Sequence, residues 1–212
     1  MTLLIGRGNS GGTSGKAGVL IGVETICKAN WLHAAIGDRL VHLIAHEYVH
    51  VQQPVTEQIE NPVDGKRSVL DNSLVEGVAE FVGETISGSI TNVHLQRFAV
   101  GREAQIETAF LADMHKTDRA DMSRWLYNGL GTAEWPGDLG YWVGYRIAQQ
   151  FYQRSPDKTA ALRELILLPD AQAVLDRSGW VERVQAARPN CAGRRRRDCL
   201  LDLLLPGARV TA

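Results

Sequence analysis

The sequence predicts an α+β protein, mostly helical, in which a short N-terminal β-strand pair precedes a helical domain. Three observations support this. Two runs rich in Leu, Ile and Val, "TLLIGRG" and "AGVLIGVET", flank the Gly/Ser-rich "NSGGTSGKAG", as two strands joined by a turn do. From about residue 30 onward, apolar side chains recur at helical spacing in segment after segment. Prolines and Asp-Gly cluster between those segments, in "PVTEQIENPVDGKRS" for example, which reads as loop.

A chain of 212 residues fits one domain and buries a core without disulfide or metal staples. Residues 1–190 are expected to form that domain, and 191–212 a C-terminal tail outside the core. A net charge of −1 argues against binding nucleic acid or an anionic membrane through overall charge. The basic run Arg194 to Arg197 reads as a solvated part of the tail. Three cysteines, Cys27, Cys191 and Cys199, without a CxxC, make neither a disulfide framework nor a structural zinc pattern. No apolar run approaches the roughly 18 residues of a membrane span. The N-terminus lacks the charged start and apolar stretch of a signal peptide, so a soluble, cytoplasmic protein is expected.

The helices follow in order. Asn30 is placed to cap the first, whose apolar positions run through Leu32, Ile36, Leu40, Leu43 and Ile44 until Pro54 stops it. A second covers "VLDNSLVEGVAEFVGETI". Others are expected at "GREAQIETAFLADMHK", "RADMSRWLYN", "LGYWVGYRIAQQFYQ" and "KTAALRELILL", with a short one around "DAQAVLDRS".

The first helix carries "HEYVH". His46 and His50 are four apart, so on a helix their Cβ atoms lie about 5–6 Å from each other on one face. Two imidazoles so placed reach one ion at the Zn–N distance of about 2.0–2.1 Å. Glu47 projects from the edge of that face, where a carboxylate suits a general base better than a ligand. The residues around them are apolar (Leu43, Ile44, Ala45, Val49), so these polar groups are expected to be buried and to need partners. The second helix supplies two carboxylates on one face, Glu76 and Glu80. One is suited to ligate Zn2+ while the other orients a histidine through its second ring nitrogen. His42, one turn before His46, reads as a supporting or core-edge histidine. His33, His94 and His115 have no such context.

"HEYVH" followed by "EGVAEF" resembles the gluzincins, zinc peptidases in which a glutamate on a downstream helix completes the ligand set. The likeness to aminopeptidase N relatives, with their Glu-Gly-x-Ala motif, implies that Glu76 is the third ligand. The sequence resembles most a bacterial family of predicted zinc-dependent proteases, sharing the Gly-rich start and both motif helices over roughly residues 1–155. A further motif, Tyr-x-x-Gly, maps onto "YWVG" and implies that Tyr141 donates to the oxyanion; Tyr145 shares that helical face. Gly140 and Gly144 there permit close approach of another element. Two departures stand out. The motif that grips a free amino terminus is not visible, although Glu24 in "VLIGVET" occupies about its place, and the loop from His50 to Glu76 is longer. The expected activity is hydrolysis of peptide bonds in a peptide or protein substrate, which adds as a strand along "GVLIGV". Two other classes compete: a metal-stabilised interaction or regulatory domain without turnover, and a small-molecule hydrolase on the same scaffold.

Overall fold

A computed structural model describes residues 1–5, 8, 11–15, 18–29, 35–54, 67–129 and 131–187. Among them are three strands, β1 (Thr2–Leu4), β2 (Gly12–Gly15) and β3 (Gly18–Gly22), and ten helices. The helices are α1 (Val23–Lys28), α2 (Ile36–Gln52), α3 (Val69–Ser87), α4 (Val93–Ala99), α5 (Glu103–Asp113), α6 (Arg119–Trp125), α7 (Leu139–Arg154), α8 (Lys158–Leu167), α9 (Ala171–Ser178) and α10 (Trp180–Ala187). The α+β, mostly helical class holds. No helix among the described residues is long and apolar enough to cross a membrane. Asn30, His33, Cys191, Cys199, the Arg194–Arg197 run and the whole of the expected tail lie outside the described residues.

The N-terminal part differs from expectation. The expected pair is a three-stranded sheet of order β1-β3-β2, with β1 parallel and β2 antiparallel to β3. The added strand β2 comes from the segment read as a turn. "GTSG" lacks the β-branched, apolar alternation that marks a strand, and its state is set by pairing with β3. The end of "AGVLIGVET" is also not strand, because Val23–Lys28 turns into α1. Val19 and Ile21 point to one face of β3, as the period of two requires. With Ile26 and Leu43 they form a small core that seats the sheet on α2.

The main core surrounds α3, which is buried without a break from Leu74 to Gly83. Its start is a capping box: Ser68 Oγ accepts from Asp71 N, and the Asp71 carboxylate accepts from Ser68 N. Its end is Gly88 in the left-handed region, φ 83°. Two glycines let neighbours touch its backbone. A Cβ on Gly77 would sit 2.1 Å from the Gly144 carbonyl carbon, and one on Gly144 only 1.8 Å from Ser73 O. Thus α3 and α7 cross backbone to backbone. On the other side, a Cβ on Gly83 would lie 3.3 Å from His46 N, so α2 packs nearly as closely. Helix α2 begins at Ile36 with Ala35 at its N-cap, and ends at Gln52, before Pro54 as expected. The short helices α4 (Val93–Ala99) and α10 (Trp180–Ala187) were not expected.

The α3–α7 crossing yields a prediction. Gly144→Ala should lower the unfolding free energy by about 3 kcal/mol, the upper end of overpacking costs, because the obstacle is backbone and cannot swing away. Gly37→Ala, on α2 with nothing within 4 Å, should instead raise it by ~0.5–1 kcal/mol. Urea unfolding midpoints of the two variants check this; equal midpoints would mean that the helices do not touch at Gly144.

Candidate metal centre

His46, His50 and Glu76 are all buried and converge, with one ligand atom from each lying within 4.8 Å of the others. The Nε2 atoms of His46 and His50 are 3.0 Å apart. Glu76 Oε2 lies 3.1 Å from His50 Nε2 and 3.5 Å from His46 Nε2. The histidines meet because four residues of α2 are one turn, and Glu76 meets them because Gly83 and Gly77 draw α3 against α2 and α7.

What faces what can be worked out at His50. Its Nδ1 lies 2.7 Å from Gln53 Oε1, while Gln53 Nε2 donates to Val75 O at 3.0 Å. A carbonyl only accepts, so the amide nitrogen must face Val75 and the amide oxygen His50. His50 Nδ1 therefore carries a hydrogen, and in the neutral ring Nε2 offers a lone pair to the cluster. His46 is turned the same way: its Nδ1 faces Glu80 Oε1 at 3.5 Å. Both Glu80 oxygens already accept from the segment before α4, from Thr91 N at 3.1 Å and Asn92 Nδ2 at 2.6 Å. Burial pushes the Glu80 carboxyl up, opposed by His46 and these donors. Two imidazole lone pairs and a carboxylate oxygen thus aim at one buried point. Such a set requires a cation.

Protons alone show the same demand. Burial opposes an imidazolium at His50, yet the Glu76 carboxylate, with Glu47 and Gln53, raises His50 to about 9. Burial likewise works against the Glu76 carboxylate, but His50 and His46 hold its pKa far below the usual range. Two nitrogens and one oxygen, all buried, suit Zn2+ and leave a fourth position open. The donor set fits that ion.

Glu47 stands beside the cluster, within electrostatic reach of both imidazoles. Burial raises its pKa, against the pull of His46, His50 and a hydrogen bond from Ser14. Its other neighbour is Gly12, where a Cβ would lie 2.6 Å from Glu47 Oε1. Strand β2 therefore forms a wall against Glu47, and a side chain at that point of it would displace the Glu47 side chain. Tyr141, on α7, stacks on His46 with ring centroids 6.1 Å apart and planes at 12°. Burial, and next the negative charge of Glu76, keep the pKa of its hydroxyl well above the ordinary tyrosine value. Tyr145 is one turn further and is turned elsewhere, its hydroxyl donating to Glu84 Oε2 at 2.5 Å.

The other histidines among the described residues are apart from the cluster. His42 Nδ1 pairs with Ser87 Oγ at 2.9 Å, at the far end of α3. His94 is on α4, where burial lowers its pKa, and His115 is exposed. Glu24 sits on α1 and accepts from Gly8 N at 3.0 Å.

Two residues at the site escaped the sequence reading. One is Gln53, which looks like a helix-end glutamine until its amide is seen bridging α2 and α3. The other is Tyr127, whose hydroxyl donates to Glu76 Oε1 at 3.0 Å. The expected helix "RADMSRWLYN" included it, but α6 ends at Trp125 and Tyr127 is left-handed, φ 56°. That conformation costs a non-glycine roughly 1–2 kcal/mol. The Asn-Gly after it is a turn signal that marks the break.

The bridging amide yields a second prediction. Gln53→Met should lower the unfolding free energy by ~1–3 kcal/mol, because it removes the acceptor of His50 Nδ1 and the donor to Val75 O together. Urea unfolding of the metal-free protein measures it, and a loss under a few tenths would deny the bridge.

The comparisons with known proteins follow the same direction. The family model described as "Predicted Zn-dependent protease (DUF2268)" matches residues 10–171. No curated protein and no solved structure matches the chain. The matched span contains β2, both motif helices and α7, and it covers most of the sequence. On that match the chain belongs to the family of predicted Zn-dependent proteases.

Proposed function

We propose that this chain is a zinc metallopeptidase of gluzincin type, hydrolysing peptide bonds with Glu47 as its general base. The observation that carries this reading is the convergence of His46 Nε2, His50 Nε2 and Glu76 Oε2 in a buried set, with a non-ligating carboxylate beside it. A structural site fills its fourth position from the protein and has no use for Glu47. That favours turnover over a purely structural metal.

Zinc, when bound by His46, His50 and Glu76, supplies a Lewis acid that brings a water's pKa towards about 7 and polarises a carbonyl. Glu47 takes the proton of the attacking water and passes it to the departing amine. Burial raises its pKa, which suits a group that must both accept and return a proton. Tyr141 donates its hydroxyl to the carbonyl oxygen as charge builds there, and its raised pKa keeps the proton available. Glu80 and Gln53 fix the two imidazoles in the orientation that ligation needs.

The substrate path changes from the one expected. β3 is paired on both sides, by β1 and β2, so a peptide cannot add along it. β2 is at the edge of the sheet and against Glu47, so it is the strand along which an extended peptide adds by main-chain hydrogen bonds. Glycines at 11, 12 and 15 leave few side chains on that wall to select among substrates.

Metal analysis of the purified protein, beside digestion of a broad peptide pool, tests the reading. One zinc per chain is expected, and none in His46→Ala, which should also lose the stability that metal binding confers. Full zinc occupancy in that variant would overturn the ligand assignment. Glu47→Gln should keep its zinc and its fold while turnover falls by about 10²–10⁴; near-normal turnover would remove Glu47 as the base.

A further inference from the structure

We infer that Tyr127 is a positioning residue of the metal centre: its hydroxyl occupies Glu76 Oε1 and so leaves Oε2 as the single carboxylate ligand. This rests on the metal reading above. The two oxygens of Glu76 face different partners, Oε2 the imidazoles at 3.1 and 3.5 Å, Oε1 the Tyr127 hydroxyl at 3.0 Å. A carboxylate left to itself can turn both oxygens on one ion, which fills a position that a reacting water needs.

The placement of Tyr127 looks arranged for its hydroxyl and not for its ring. The residue as a whole is 57% exposed, so it fills little of the core, while its hydroxyl end is turned in to Glu76. Its left-handed backbone persists only because neighbours over-determine it. Tyr127 N donates to Asp138 Oδ1 at 2.7 Å, and Asp138 N donates to Asn128 Oδ1 at 2.8 Å, a reciprocal clasp across the loop between α6 and α7. Trp135 Nε1 donates to Arg124 O at 3.0 Å and staples the same loop.

A second phenol near the same carboxylate explains the division of labour. Tyr141 is also within electrostatic reach of Glu76, but as the proposed oxyanion donor it serves the substrate carbonyl when substrate binds. Tyr127 stays. It holds Glu76 in one orientation through the cycle while Tyr141 turns to the carbonyl oxygen.

Cobalt(II) and zinc(II) loading of the wild type and Tyr127→Phe decides the matter. The exposed ring is kept, so the fold should be unchanged by thermal unfolding of the metal-free chains. In wild type, cobalt should give the strong visible absorption of a low-coordinate site. In Tyr127→Phe that band should weaken as the second oxygen joins the ion, and zinc should be lost to a competing chelator at about 10–100-fold lower chelator excess. A cobalt spectrum identical to wild type's would overturn the inference. A wild-type chain that takes up neither ion would remove the metal reading, and this inference with it; loaded wild type beside an unchanged variant removes the inference alone.

Discussion

The contact between Gly77 and Gly144 is the constraint on which the rest of the molecule depends. Two helices touch there through their backbones, which is possible only where neither bears a side chain. Glu76 is the residue before Gly77, and Tyr141 is one turn before Gly144. The crossing therefore sets carboxylate and phenol side by side as a consequence of packing. Gly83 repeats the device towards α2, where it lies against His46. In the Glu-Gly-x-Ala segment of this chain, the glycine serves helix contact and the glutamate serves the site. Neither role can be filled without the other.

Convergent lone pairs are ordinarily a defect in a protein interior. Here His46, His50 and Glu76 present them to one another within a few ångströms, in a helix layer with hardly any solvent exposure. The surrounding hydrogen bonds do not relieve this tension; they maintain it. Gln53 holds the proton of His50 on the side away from the cluster, and Glu80 faces the corresponding nitrogen of His46. The network thus turns the Nε2 atoms of both rings towards the cluster before any metal is bound. Pre-organisation of this kind costs stability in the empty state and returns it when the ion binds.

The parts of the site that were legible in the sequence are those with local spacing. The four-residue step from His46 to His50, the adjacent Glu47, and the Glu76/Glu80 pair on an apolar helix all follow from one helical period. The glycines at 140 and 144 read as a surface for close approach, and α7 is packed on α3 through them. What was not legible depends on tertiary contacts. β2 is a strand because β3 pairs with it, and nothing in "GTSG" says so. Tyr127 and Gln53 act across 51 and 22 positions of sequence, respectively, through single hydrogen bonds. The different surroundings of Tyr141 and Tyr145 depend on side-chain direction, which a shared helical face cannot supply: one lies on His46, the other on Glu84.

The burial of α3 also bears on how a chain of this kind can vary. From Leu74 to Gly83 every residue is inside, either as packing or as part of the cluster. A substitution at any of them changes the core and the centre together, so this helix offers little freedom for drift. The rim is different. Strand β2 and the loop between α6 and α7 are half-exposed, and they border the same site through Glu47 and Tyr127. Changes around the cluster are therefore open to the rim and closed to the helix, and divergence among relatives should concentrate there while His46, His50 and Glu76 stay still.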